Sequence, residues 1–276
     1  MFNVYAEAMV QEAFANMKDG IIVGGRRVNS VRFADDKAIV SDSEEGLQRL
    51  MDSLVSVGED FGMRININKT KVMKVTRSQE FDLNIEVSGK KLEQVNHFTY
   101  LGSVISSDAY NTREIKTRTM LAKKAFTKHS RVLTAKRLNQ NLRKRLAKCL
   151  VWSVALHGSE TWTIRKAEER MLESLEMWVW RRMEAISWKD KVTNDEVLKR
   201  VKEERNLLKI IRRRKKNWLG HILRGENMLR DVLEGKMNGK RGRGRPRTGM
   251  VSDLKGNLTY GMMKRKAEDR EGWRKD

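Results

Sequence analysis

A single proline, Pro246, stands in a chain of 276 residues. Proline breaks helices most forcibly because it lacks the N–H donor and its ring clashes with the preceding turn. Helices in this chain can therefore run until glycine or a polar cap stops them. Apolar residues recur at helical spacing over 112–134, 139–156, 165–186, 194–203 and 205–223, so the rear is predicted to be mostly helical. The front differs. Its short apolar runs are separated by turn-forming pairs, and the chain as a whole reads as α+β.

In the front, Asn3 to Lys18 spaces Val4, Ala8, Val10, Ala13, Phe14 and Met17 as a helix, which Asp19-Gly20 ends. Ile21 to Val23 and Lys37 to Val40 flank Gly24-Gly25 and Asp35-Asp36, which predicts two or three strands with carboxylates at a hairpin tip. Ser43 is a hydroxyl start signal for an amphipathic helix through Phe61, closed by Gly62. MRININKTKVMKV alternates as a half-buried strand, and a strand pair is expected at Phe81 to Val87 and His97 to Ile105 with Ser88-Gly89 as turn.

Charge divides the chain in the same place. Residues 1–110 hold 13 Lys and Arg against 16 Asp and Glu, whereas 111–276 hold 45 against 20. The whole basic excess of a +22 chain thus lies in the rear, the pattern of a polyanion binder. It forms two blocks: 111–150, where Glu114 is the lone acid, and 211–249. No apolar run approaches the roughly 20 residues of a membrane helix. No basic leader opens the chain, and Cys149 is its single cysteine, so an intracellular, reducing compartment is expected. Four scattered histidines and one cysteine exclude a zinc knuckle.

Adjacent carboxylates at a turn suit a hard divalent cation held against phosphates. An acidic pair alone is also an ordinary solvated turn. Its neighbours say more: Val31-Arg32-Phe33-Ala34-Asp35-Asp36 resembles the FADD form of the aromatic-x-Asp-Asp hairpin of reverse transcriptases. Phe61 to Lys71, FGMRININKTK, is similar to a palm segment of non-LTR polymerases. Phe98-Thr99-Tyr100-Leu101-Gly102-Ser103 resembles the primer-gripping Y-L-G hairpin. Leu156 to Trp162, LHGSETW, is similar to an L-Y-G-S-E-T-W stretch, with His157 in place of tyrosine. Arg182-Met183, Trp218 to Arg224 and Met263 to Arg270 also resemble the C-terminal region of such elements. The family so resembled is that of the non-LTR (LINE-type) retrotransposon reverse transcriptases.

The resemblance implies a partial palm at 1–110, a helical thumb at 111–160, a helical C-terminal region at 161–235 and a basic Gly/Arg-rich arm with a weak terminal helix at 236–276. It implies RNA-templated addition of dNTPs to a DNA primer with two Mg²⁺ ions, Asp35 and Asp36 being metal ligands and catalytic groups. Lys69 would meet the triphosphate, with Lys71 as the alternative, and Tyr100, Leu101 and Gly102 would press on the primer. In the family, fingers and a strand with a further catalytic aspartate come before the segment matching Phe2-Asn3-Val4-Tyr5, and Lys37 replaces a small or apolar residue. A truncated polymerase, inactive alone, is therefore expected. A catalytically dead nucleic-acid-binding protein derived from a retroelement is the alternative.

Among the basic residues, Arg113, Lys116, Lys123, Lys124, Lys128, Arg131, Lys136 and Arg137 recur at three- to five-residue steps, suited to tracking the phosphates of a template–primer hybrid. Arg241 to Arg247, including Arg243 and Arg245, reads either as an AT-hook-like arm or as a basic linker. Arg212 to Lys216 reads as a nuclear import patch or an ordinary basic helix. The tryptophans at 152, 162, 178, 180, 188 and 218 are expected mostly in the core.

Overall fold

The amphipathic start of the chain folds as α1 (Phe2–Phe14) and buries Met9, Val10, Ala13 and Phe14 against Leu50 and Leu54 of α2 (Glu44–Asp60). The α2 helix begins at the hydroxyl signal. Ser43 Oγ accepts the Gly46 N–H at 3.1 Å, and Glu44 and Glu45 lie at the positive helix end. Gly62, at φ +66, follows its last turn and donates to the Glu59 carbonyl at 2.9 Å. The fold is α+β, and the computed structural model describes residues 2–76, 82–235, 248–255 and 258–275.

Two hairpins join these helices: β1 (Ile21–Val23) with β2 (Arg26–Val28), and β3 (Ser30–Phe33) with β4 (Asp36–Ile39). Four strands thus stand where two or three were expected. The predicted strand over MRININKTKVMKV shrinks to β5 (Lys71–Val72). Met63, Ile65 and Ile67 do turn inward as the alternation requires. However, the Asn66 carbonyl accepts the Lys69 and Thr70 N–H groups, and its side chain accepts Lys69 again. This local turn takes the backbone groups a ladder would need.

The predicted pairing of Phe81 to Val87 with His97 to Ile105 does not form among the described residues, and Phe81 lies outside them. Instead, β6 (Glu86–Val87) pairs with β7 (Lys90–Lys91) across Ser88-Gly89, and β8 (Glu93–Gln94) runs parallel to β5. The strands β9 (His97–Tyr100) and β10 (Ser103–Ser106) form a hairpin of their own. Tight turns with positive φ at both Ser88-Gly89 and Leu101-Gly102 favour these local pairings over a distant one.

The rear is helical: α3 (Thr112–Lys128), α4 (Ser130–Leu133), α5 (Gln140–Ala147) continuing through a π-helical turn at Lys148–Trp152 into α6 (Ser153–Ala155), α7 (Lys166–Met183), α8 (Asn194–Val201), α9 (Leu207–Arg224) and α10 (Met228–Glu234). The weak terminal helix is three pieces, α11 (Ser252–Lys255), α12 (Tyr260–Glu268) and α13 (Arg270–Lys275). Ile115, Phe126, Leu133, Trp152, Trp162, Leu172, Trp180 and Ile211 share one core. Trp152 meets Trp180 edge-on at 5.6 Å, and a core tryptophan of this kind stabilises a fold by about 3–5 kcal/mol.

The chain divides into two compact units. One holds Met1–Ala109 and Glu226–Gly242, the other Tyr110–Gly225 and Arg243–Asp276. Thus α10, although it follows α9 directly, belongs with the β1–β2 turn, where Gly24 approaches Asp231. No helix among the described residues is long and apolar enough to cross a membrane.

Candidate functional site

The acidic pair sits at the tip of the β3–β4 hairpin, with Phe33 opposite Asp36 and the turn made by Ala34 and Asp35. Both carboxylates are exposed. Ala34 holds φ +53 without the glycine found in the other tight hairpins of this unit. A left-handed alanine costs about 1–2 kcal/mol, and such strain collects at sites where side chains must be aimed. Packing and pairing hold the hairpin in place: Ile39 joins the core below α2, Val40 donates to the Asn29 carbonyl at 2.8 Å, and Arg32 pairs with Glu7 of α1 at 3.0 Å.

A second hairpin braces the first. The Tyr100 hydroxyl donates toward the Val31 carbonyl at 3.1 Å and the Asp36 carbonyl at 3.4 Å. Its ring is half-buried, and burial together with the Asp36 charge pushes the phenol above its ordinary pKa. Tyr100 therefore stays a neutral donor at neutral pH. The sequence reading misses this brace, although a partly buried tyrosine needs a hydroxyl partner. Gly102, exposed at φ +78, makes the turn that presents Tyr100. Phe33 is 64% exposed, so an apolar ring stands in solvent beside the carboxylates.

Lys69 is exposed, and among the described residues no hydrogen bond or ion pair joins it to the acidic hairpin. Lys71 instead pairs with Glu93 at 2.5 Å across the β5–β8 ladder, which commits its charge to the sheet.

On α3 the basic residues separate by face. Ile115, Ala122 and Phe126 are buried, and Arg118 pairs with Glu114 inside the unit at 2.7 Å. Arg113, Lys116, Lys123, Lys124 and Lys128 are all exposed on the opposite face, followed by exposed Arg131 on α4 and by Lys136 and Arg137. At 3.6 residues per turn the five α3 cations span one side of the helix.

On α9 four of the five cations of the basic run are engaged internally, and Arg213 is exposed. Arg212 pairs with Glu169 at 2.7 Å, Arg214 with Glu160 at 2.6 Å, Lys215 is 1% exposed and Lys216 lies over the Trp273 ring at 5.3 Å. Read as an import patch, Arg212 to Lys216 thus leaves Arg213 exposed, with its other four cations paired, buried or over a ring. Arg241 to Arg247, with Arg243 and Arg245, lie outside the described residues.

The LHGSETW stretch is a packing element. Gly158 at φ +69 leads into a short 3-10 turn at Ser159–Thr161, Ser159 is buried, Glu160 holds Arg214, and Trp162 enters the core. Trp152, Trp162 and Trp180 are buried as expected, and Trp178 and Trp218 are partly so. Trp188 departs from the expectation at 83% exposure, in a 3-10 turn with few apolar neighbours.

Two glutamates of α7 order the helical unit and titrate in opposite directions. Burial works against the Glu168 carboxylate, but hydrogen bonds from Arg165 and Thr112 prevail and hold it at about 2. Burial pushes Glu176 upward and nearby Glu203 adds to this, although Glu176 accepts the Asn206 and Leu207 N–H groups at 2.8 and 3.2 Å. Glu176 thereby caps α9 from a neighbouring helix. A glutamate on the apolar face between Leu175 and Met177 was the sequence signal for it.

Asp35 and Asp36 are hard oxygen donors, and Mg²⁺ commonly takes one or two protein carboxylates and completes its shell with water and phosphate oxygens. The pair fits such an ion. Among the described residues no cluster of three or more His, Cys, Asp or Glu side chains is poised to hold a metal.

Residues 1–105 match the family of reverse transcriptases (RNA-dependent DNA polymerases). The matched stretch contains the acidic hairpin, Lys69 and the Tyr100 hairpin. The chain is also similar to an uncharacterized transposon-derived protein of Caenorhabditis elegans, 27% identical over 207 residues, covering 73% of this chain and 74% of that protein. No solved structure matches the chain at a significant level. These likenesses support a retroelement reverse transcriptase.

Proposed function

We propose that the chain is part of the RNA-directed DNA polymerase of a non-LTR retrotransposon, with Asp35 and Asp36 at the metal-holding tip of its palm. The observation that carries this reading is the brace between two hairpins, Tyr100 bonded to the backbone of the strands that bear the acidic turn. A flexible tip would let the carboxylates wander, and nucleotidyl transfer depends on position and charge stabilisation. Mg²⁺, when bound, would neutralise phosphate charge and activate the primer hydroxyl. Asp35 and Asp36 would hold it, Lys69 would face the triphosphate, and Tyr100 would act as a positioning residue. Residues 111–160 would serve as a thumb, with Lys116, Lys123, Lys124 and Arg131 on the phosphates of the RNA–DNA hybrid and Gly102 close to the primer.

Primer extension on an RNA template with Mg²⁺ tests this. Extension by the wild type that is lost in Asp35→Ala and reduced in Tyr100→Phe supports the polymerase reading. Equal background in wild type and Asp35→Ala ends the reading of this chain as a polymerase active on its own and leaves the second reading, below.

A second reading, a nucleic-acid-binding protein without catalysis, is favoured by the exposed α3 cations together with an acidic tip of only two carboxylates. Its affinity for a mixed-sequence hybrid would fall roughly tenfold or more between low and physiological salt. A flat salt response would reject it.

A further inference from the structure

The α7 helix sorts its charges by face. Its acidic residues Glu169 and Glu173 pair with Arg212 and Arg205, and Glu176 caps α9. Arg170, Ser174, Trp178 and Arg182 recur every four residues along another side. That side meets α3: Trp178 packs edge-on against Phe126 at 5.3 Å, and Thr112 bonds Glu168 near the starts of both helices. The two helices therefore run alongside each other in the same sense.

At this seam two cations converge on one ring. Lys123 Nζ, from α3, lies 5.5 Å from the Trp178 ring centre, and the Arg182 guanidinium, from α7, lies 5.4 Å from it. Both residues are exposed, and neither has a carboxylate partner among the described residues. Two cations gathered at one ring leave positive charge that the aromatic face offsets only in part. A phosphate beside them would neutralise that charge. Both head groups already lie over the Trp178 ring, so less order would be lost on binding than from side chains free in solvent.

We infer that Lys123, Trp178 and Arg182 form a phosphodiester-binding site, which extends the α3 surface onto α7 and makes the nucleic-acid interface a two-helix seam. The inference rests on the reading of the α3 cations as a backbone grip. It adds a phosphate ligand on a helix to which neither the motifs nor the likenesses assign a role. Phosphate recognition of this kind is independent of sequence and sensitive to salt.

The test is the binding of a mixed-sequence DNA duplex, followed by fluorescence anisotropy over a salt series, to full-length protein carrying Arg182→Gln, the cation that α7 alone contributes. Glutamine keeps an aliphatic stem on the ring and removes the charge, so a role confined to packing would leave the salt slope where it was. The expected result is a slope of log K against log salt shallower by about 0.9, for the one phosphate that is no longer neutralised, with the thermal midpoint little changed. An unchanged slope in this variant, while Lys116→Gln with Lys124→Gln makes it shallower, would overturn the seam and leave α3 gripping alone. If neither variant alters the slope, the α3 grip itself fails and the seam with it.

Discussion

The helices α3 and α9 are nearly the same length and both rich in lysine and arginine, yet the fold gives them opposite fates. On α9, Glu169 and Glu160 neutralise Arg212 and Arg214, Lys215 is buried, and Lys216 rests on Trp273. On α3, Arg118 alone is paired inside, by Glu114, while Arg113, Lys116, Lys124 and Lys128 face solvent. Basic composition therefore does not by itself make a binding surface. What matters is whether acids of neighbouring helices reach the cations first, and α7 supplies such acids toward α9 while turning Trp178 and Arg182 toward α3.

The comparison breaks most sharply at Glu176. Its removal in Glu176→Ala leaves the Asn206 and Leu207 N–H groups without their acceptor and should cost about 2–4 kcal/mol in urea unfolding. Duplex affinity of the folded fraction should be retained. A stability loss below about 0.5 kcal/mol would mean that α9 is not anchored by this cap.

Acid probes the other end of α7. Glu168 has a folded pKa near 2, below its ordinary value of 4.5, so its contribution is fully present above that ordinary value and is lost as pH falls toward 2. Up to about 3 kcal/mol is at stake by linkage, and Glu168→Gln should flatten the acid limb of the stability curve. Glu176 has the opposite sign. Its raised pKa makes its contribution largest below the ordinary carboxylate range, with loss as pH rises through the folded value. Glu176→Gln should remove that opposing slope.

On the binding side, Lys116→Ala with Lys124→Ala should lower duplex affinity roughly tenfold at low salt, about 1.4 kcal/mol, with no change in thermal midpoint. The smallest effect is expected on α9. Arg212→Ala or Arg214→Ala should cost less than about 1 kcal/mol of stability, because both ion pairs are half-exposed, and should leave affinity unchanged. If the Arg212 and Arg214 variants weakened duplex binding as much as the α3 pair, the distinction between the two helices would collapse.

Much of the candidate site is legible in the chain. The hairpin carrying Asp35 and Asp36, the Ser43 cap and the inward alternation of Met63, Ile65 and Ile67 all rest on interactions between residues close in sequence. The departures concern pairing. MRININKTKVMKV has a strand's alternation, but Asn66 satisfies the backbone locally and leaves only Lys71–Val72 to pair, with Glu93–Gln94. Phe81 to Val87 and His97 to Ile105 look like partners by pattern, although each run has its own two-residue turn and folds back on itself.

The sequence by itself determined the helical rear, the acidic turn and the excess of positive charge behind residue 110, since periodicity, turn chemistry and charge are properties of the local string. Only the tertiary structure decided which cations remain available, that Tyr100 braces the acidic hairpin, and that Trp178 gathers Lys123 and Arg182. Each of those depends on which side chains meet across elements, and such meetings follow from how buried faces pack together, which spacing along the chain does not specify.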